Sequence, residues 1–181
     1  YDASVLRGFG VRPASWDVTT ELQQQIGNGM SFNAGYYRSW LVNFRATDNQ
    51  LVTPADFSTY CITAPSDGRL PSGGGYSICG LADVAPAKFG RVQNLVTSAA
   101  AYGDQKQYSD YLAFNFRARI HGGNQLGGGI DSGRTVADTC FVVDSPQELV
   151  NCRVVTSFRN QTQVKLFGSY LVPGAVQVSA T

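Results

Sequence analysis

The stretch WDVTTELQQQIGNGMSFNAGYYRSWLVNFR, residues 16–45, decides the fold because apolar and polar side chains alternate along it. Most of the alternate positions of Trp16–Ile26 are apolar, and the same holds for Met30–Arg45. Successive side chains of a strand point to opposite faces of a sheet, so this period of two predicts two half-buried strands. The Gly27-Asn28-Gly29 segment between them contains Asn-Gly, the strongest short-range hairpin signal. We therefore predict an antiparallel hairpin.

The same alternation recurs further along the chain and sets the fold class. It predicts strands over Lys106–Ile120, Gln125–Ala137, Gln161–Leu171 and Ala175–Thr181. The connections alternate between short turns and two long segments, about 46–104 and 138–159. Alternate connections of an up-and-down barrel lie at the same rim, and short turns opposite long loops are typical of outer-membrane barrels. We predict an all-β fold with about six antiparallel strands of a transmembrane outer-membrane β-barrel.

Composition narrows the environment of these strands. Charged residues make up 15% of the chain, aromatic residues 12%, and the formal net charge is +1. Soluble domains usually carry about 25% charged residues. A net charge so near zero gives no basic surface for nucleic acid, so we expect no nucleic-acid partner. No apolar run approaches the ~18 residues of a membrane-spanning helix, so contact with a membrane would be made by strands.

The two faces of the predicted strands suggest different contacts. The tyrosines and tryptophan expected at a membrane interface are Tyr36, Tyr37, Trp40, Tyr108, Tyr111 and Tyr170. Arg38 interrupts an apolar face, and its side chain is expected to reach the lipid headgroups. The charged residues predicted on polar, lumen-facing positions are Glu21, Arg45, Arg117 and Arg119. They would contact a substrate or a plug, or would simply form a solvated charge ladder.

Four cysteines fall in the two long connections, as two pairs close in sequence. An even number of such cysteines indicates disulfides formed in an oxidising compartment. The chain has no C-x-x-C pair, the usual spacing of zinc ligands, although a metal site or free thiols remain alternatives. We predict the disulfides Cys61–Cys79 and Cys140–Cys152.

No motif in the chain indicates catalysis. His121 is the only histidine and lies beside two glycines in a predicted turn, and no serine occupies a G-x-S-x-G elbow. The two triple-glycine runs lack the Lys-Ser/Thr and the following helix of a phosphate-binding loop. We expect no enzymatic activity, no catalytic residue, no cofactor and no bound metal. Alternation and disulfides by themselves also fit a secreted β-sandwich that acts as a binding module.

Several long segments carry a resemblance to a known family. They are YYRSWLVNF (36–44), VTPADFSTYCITAPSDGRLPSGGGYSICGLADVAPAKFG (52–90), VQNLVTSAAAYG (92–103), SGRTVADTC (132–140) and TQVKLFGSYLVPGAVQVSAT (162–181). They resemble the TonB-dependent outer-membrane receptors that have an N-terminal carboxypeptidase-regulatory-like domain.

The resemblance implies a fold, a location and a function. Residues 1–181 would be a single fragment from the C-terminal part of a barrel of about 22 strands that surrounds a plug. Its partners would be outer-membrane lipid, the rest of the barrel and, through the plug, an energy-coupling complex of the inner membrane. The whole protein would import a scarce or bulky nutrient into a bacterium. No segment of this chain matches the plug, a signal peptide or the energy-coupling box.

Six strands cannot close such a barrel, and the two unpaired edges suggest an alternative. Exposed edges with high β-propensity and low net charge can pair with other chains. A barrel fragment released by proteolysis could stack with identical copies into an extracellular cross-β filament with a purely structural role.

Overall fold

The computed structural model describes residues 1–181 and has an all-β fold with antiparallel sheets. Strands account for 55% of the residues, and there is no α-helix. The eleven strands are β1 (Ala14–Ile26), β2 (Met30–Val42), β3 (Arg45–Asn49), β4 (Phe57–Thr63), β5 (Ser77–Val84), β6 (Asn94–Ser98), β7 (Lys106–Ile120), β8 (Asn124–Asp138), β9 (Arg153–Thr156), β10 (Gln163–Val172) and β11 (Val176–Ala180). None of the short helical turns is long and apolar enough to cross a membrane.

The chain divides into two compact units. Residues 15–41, 107–136 and 155–181 form the sheet unit, and residues 1–14, 42–106 and 137–154 form the loop unit. The loop unit is built almost entirely from the two long connections.

The sheet unit is an up-and-down meander of the six strands that the alternation predicts. Its order is β1-β2-β7-β8-β10-β11, and β9 also pairs with β8. β2 and β7 pair antiparallel over eleven residue pairs, from Met30↔Ala118 to Trp40↔Tyr108. β8 with β10 and β10 with β11 are antiparallel as well. The predicted all-β, antiparallel fold is therefore confirmed, while the sheet is open because β1 and β11 each have one neighbour.

The connections of the meander are unequal at its two ends. Short turns join β1 to β2, β7 to β8 and β10 to β11, whereas the long connections join β2 to β7 and β8 to β10. We call the end with the short turns the turn end and the opposite end the loop end. Gly27 (φ 59°) and Gly122 (φ 80°) provide the left-handed backbone conformations in two of the turns.

One predicted strand is too long. The sequence predicts a strand over Met30–Arg45, but β2 ends at Val42 and Asn43 adopts a φ of 60°. Asparagine tolerates the left-handed region better than most residues, so the chain can leave the sheet here without glycine. Arg45 consequently begins β3 in the loop unit.

The long connections contain more regular structure than the sequence predicts. β3 pairs with β6, and β4 pairs with β5 across a bulge between Tyr60 and Ile62. The buried apolar residues of the unit are small, namely Val5, Ala46, Val52, Ala64 and Ala99. Such a core buries little apolar surface, so disulfides and side-chain caps contribute much of the stability of this unit.

Candidate functional site

The sheet unit has one continuous apolar face and one polar face. Cross-strand partners lie on the same face, and the registers align Phe32 with Phe116 and Val164 with Ile130. The apolar face comprises Trp16, Val18, Leu22, Ile26, Met30, Phe32, Ala34, Tyr36, Trp40, Tyr108, Leu112, Phe114, Phe116, Ala118, Ile120, Leu126, Ile130, Val136, Val164, Leu166, Tyr170, Val172, Val176 and Val178. It extends over all six strands of the meander.

No second layer of the sheet unit covers this apolar face. Leu22 is 59% exposed, Val164 67% and Leu166 62%, and of the large side chains on the face only Val136 is buried. A contiguous, exposed apolar surface that extends over six strands is typical of a surface that contacts another molecule or a membrane.

Charged side chains occupy only one part of the apolar face. Within the sheet unit they are Arg38, Asp110 and Arg134, and all three lie toward the loop end. From Leu112 to Ile120, the rest of β7 presents only uncharged residues to this face. At about 3.4 Å per residue, that charge-free stretch is roughly 27 Å long, close to the ~25 Å height of the apolar band of an outer-membrane barrel.

The charges near the loop end are packed among aromatic rings in a group that we call the Arg38 cluster. Arg38 Nη1 lies 3.2 Å from Asp110 Oδ1, and the Tyr36 hydroxyl donates to the same oxygen at 2.7 Å. The Arg38 guanidinium lies 5.9 Å from the centre of the Trp40 ring and 5.4 Å from that of Tyr108. Trp16 stacks on Trp40 with ring centres 6.5 Å apart. The cluster thus combines a cation with the aromatic residues that favour a polar–apolar boundary.

The polar face carries amides, hydroxyls and three of the four charged residues predicted for it. Glu21 accepts a hydrogen bond from the Tyr37 hydroxyl at 2.6 Å, which places both on the polar face. Arg117 lies over the Phe167 ring at 5.8 Å, and Arg119 lies two residues further toward the turn end on the same strand. These arginines border an open groove of about 360 Å³ that is also lined by Gln25, Asn28, Gln125 and Phe167. The groove offers cationic and amide donors to a polar ligand.

Arg45, the fourth predicted lumen residue, is not part of this face. Its Nη2 donates to the Val5 carbonyl at 2.8 Å, and its guanidinium lies 5.8 Å from the centre of the Tyr1 ring. The left-handed Asn43 ends β2 before the alternation reaches Arg45. Arg45 therefore holds the first residues of the chain against the loop unit.

Glycines let aromatic rings lie against the backbone of the polar face, which sequence reasoning missed. A Cβ on Gly133 would lie 2.1 Å from the Tyr111 ring, and one on Gly127 would lie 2.3 Å from the Phe167 ring. Tyr37 and Tyr111 are cross-strand partners on this face, so they are absent from the aromatic group on the apolar face to which residue type had assigned them. Their positions follow from strand parity, the signal that could have located them.

Both predicted disulfides are present in the loop unit, and no cysteine is free. Cys61–Cys79 joins β4 to β5, where the Cα atoms are 4.1 Å apart. Cys140–Cys152 closes the second connection with a Cα–Cα distance of 4.8 Å. By the chain-entropy estimate, each bond stabilises its folded loop by about 3 kcal/mol. The disulfides thus compensate for the small apolar core.

A carboxylate cluster organises the connection that contains Cys140. Glu148 accepts hydrogen bonds from the backbone N–H groups of Val143, Asp144 and Ser145 at 2.7–3.1 Å. Asp144 accepts from the Asn49 N–H at 3.0 Å, which ties the connection to β3. Burial raises the pKa of the Asp144 carboxyl, and nearby negative charge, including Glu148, raises it further. Ionisation of the Asp144 carboxyl therefore destabilises the folded loop unit relative to the unfolded chain.

We expect Asp144→Asn to stabilise the loop unit at neutral pH, because asparagine can still accept from Asn49 without carrying charge. A carboxyl whose folded-state pKa is raised contributes stability below the ordinary value of about 3.8, and that contribution is lost as pH rises through the raised pKa. Urea unfolding of the native chain between pH 4 and 7 should therefore show stability falling as pH rises. The variant should show a flatter profile.

Asp56→Asn is the matched control. Hydrogen bonds from Thr53 lower the pKa of Asp56, so its contribution is lost only below about pH 3.8. This variant should lose stability without changing the slope between pH 4 and 7. A native-like slope in Asp144→Asn would contradict the assignment to Asp144.

The structure has no group of His, Cys, Asp and Glu side chains that could hold a metal ion. His121 lies exposed in the turn between β7 and β8.

Comparisons with protein-family models, with curated proteins and with solved structures find no match for this chain. The geometry of the two faces is therefore the basis for assigning a function.

Proposed function

We propose that this chain forms part of the barrel wall of a TonB-dependent outer-membrane transporter that imports a scarce or bulky nutrient. In this proposal the apolar face of the sheet unit contacts outer-membrane lipid. The polar face, with Glu21, Arg117 and Arg119, lines the lumen, and further strands pair with the open edges of β1 and β11.

The observation that carries the proposal is the uncovered apolar face across six strands of a single-layer meander. A sandwich needs a second sheet on such a face, and the sheet unit contains none. A membrane strand needs about 9–11 residues, and β1, β2, β7, β8 and β10 have 10 to 15 each. The restriction of charge to the loop end and the short turns at the opposite end support the same arrangement.

Site-directed spin labelling tests which medium each face meets. A cysteine introduced at 112, 113, 114 or 115 would be the single free thiol, because the native cysteines are bonded to each other. In bilayers, collisions with oxygen should be frequent at 112 and 114, and collisions with a water-soluble nickel chelate should be frequent at 113 and 115. A sandwich core would shield positions 112 and 114 from both reagents and would contradict the proposal.

A second candidate, a cross-β filament of identical copies, is favoured by one observation. β1 is a 13-residue edge strand, and every one of its residues is exposed. An edge of that length can template pairing with another chain. Fibre diffraction should then give a ~4.7–4.8 Å meridional and a ~10 Å equatorial reflection. The same spin labels would show strong spin exchange between stacked copies rather than the two-residue alternation in collision rates.

A further inference from the structure

We propose that the Arg38 cluster binds the phosphate group of a membrane lipid, and this inference rests on the proposed function of the apolar face. It gives Arg38 a defined role on a face whose other residues, in the proposed function, contact acyl chains.

The ion pair in the cluster presents its positive partner outward. The Arg38 side chain is 46% exposed, whereas that of Asp110 is only 13% exposed. Tyr36 and Arg38 both bond to Asp110 Oδ1 and so shield the carboxylate. A molecule that approaches the apolar face therefore meets a guanidinium, although the pair is neutral overall.

The guanidinium keeps most of its hydrogen-bonding capacity for a ligand. Arginine has five N–H donors in a planar fork, and the bond to Asp110 is made by Nη1. The guanidinium also lies within 6 Å of the Trp40 and Tyr108 rings, and these contacts restrict the orientation of the fork. A planar, oriented fork suits the tetrahedral oxygens of a phosphate, which can accept two parallel hydrogen bonds.

The position of the cluster favours a lipid over a free anion. Arg38 lies on the apolar face, two residues from Tyr36, which pairs with Leu112 and begins the uncharged stretch on β2. A lipid that lays its acyl chains on the uncharged stretch would bring its headgroup to the level of the guanidinium. Free phosphate would gain the ionic contact without the apolar one.

The chain provides its own probe for the test. Its two tryptophans, Trp16 and Trp40, are both in or against the cluster, so tryptophan fluorescence, excited selectively over tyrosine, reports on this region alone. The chain is placed in nanodiscs of phosphatidylcholine with brominated acyl chains, which quench tryptophan on contact. Unbrominated phosphatidic acid, whose phosphate is fully exposed, is then mixed in, and the recovery of fluorescence gives its binding relative to phosphatidylcholine.

We expect phosphatidic acid to bind the cluster about fivefold more strongly than phosphatidylcholine, the factor for one interfacial basic residue. Arg38→Gln should reduce the ratio to about one, and Arg38→Lys, which keeps the charge but loses the fork, should give an intermediate ratio. Arg69→Gln removes another Arg–Asp pair, in the loop unit, and should leave the ratio unchanged. If Arg38→Gln does not fold, the binding ratio measured for Arg38→Lys decides whether the guanidinium fork contributes to the site.

The outcomes separate this inference from the function on which it rests. No quenching by brominated lipid would overturn the lipid-facing role of the apolar face itself. Quenching with a ratio of one in the native chain would overturn the phosphate site and leave the lipid-facing role intact. Loss of the preference for phosphatidic acid in millimolar inorganic phosphate would show that the cluster binds a free anion, which also overturns the lipid assignment. If oleate is preferred over phosphatidylcholine as strongly as phosphatidic acid is, the cluster recognises negative charge in general, and the assignment to phosphate is overturned.

Discussion

Replacing Gly74 by alanine should destabilise the loop unit by about 3 kcal/mol, because two unfavourable terms coincide at this residue. Gly74 has a φ of 89° and a ψ of −160°, a conformation that is essentially restricted to glycine and costs other residues about 1–3 kcal/mol. Its Cβ would also lie 1.9 Å from the Pro65 carbonyl oxygen, a backbone atom that cannot rotate away. Relief of that contact requires the connection between β4 and β5 to move.

Gly73→Ala separates the two terms. Gly73 has a similar φ of 78°, but nothing lies within 4 Å of the position of its Cβ. We expect it to cost only the conformational term, about 1 kcal/mol. Urea unfolding measures both variants, and hydrogen exchange at the Gly75 N–H, which donates to the Ala64 carbonyl, reports locally on the connection. Equal effects of the two substitutions would contradict the close contact with Pro65.

The strands of the sheet unit could be predicted because their signal is local and repeated. Where one face is apolar and the other polar, a period of two both identifies the strand and assigns each side chain to a face. Short turns with glycine then give the order of neighbours. The same rule, applied strictly, also places Tyr37 and Tyr111 on the polar face, where residue type had been preferred to position.

The loop unit could not be predicted because its determinants are distant in sequence or specific to one residue. β3 pairs with β6, so Arg45 lies opposite Ser98 across a connection with no continuous alternation. The end of β2 depends on the backbone conformation of Asn43 alone, and the alternation continues past it. The tie between Asp144 and Asn49 likewise joins two separate connections. Cysteine spacing was an exception, since each disulfide closes a short segment.

The Arg38 cluster could be predicted from the sequence only in part. Sequence parity places Arg38 on an apolar face and calls for a polar environment there. It does not reveal that Asp110 is the direct cross-strand partner, or that Tyr108 lies near the guanidinium, because both depend on the register of β2 with β7. The register is therefore what turns an isolated charge into a candidate binding site.

Leu22→Arg should lower the free energy of unfolding substantially only if the apolar face contacts lipid. Leu22 is 59% exposed, so in water an arginine at this position would lose little burial and keep its charge solvated. In a bilayer, an outward-facing arginine near the midplane costs about 2–4 kcal/mol. We therefore expect urea unfolding from phospholipid bilayers to show a loss of that size, while unfolding from an aqueous state would show a change within about 0.5 kcal/mol.

Gln23→Arg is the matched control, because residue 23 is the next residue of β1, is also exposed and faces the opposite side of the sheet. A lumen-facing arginine remains hydrated, so its cost in bilayers should stay within about 0.5 kcal/mol. Equal small effects at both positions would mean that neither face of β1 meets hydrocarbon, and the transporter proposal would fail. A Leu22→Arg chain that no longer forms fibres under conditions where Gln23→Arg does would instead indicate that stacked copies cover the apolar face. The contrast between two adjacent residues thus decides which partner that face has.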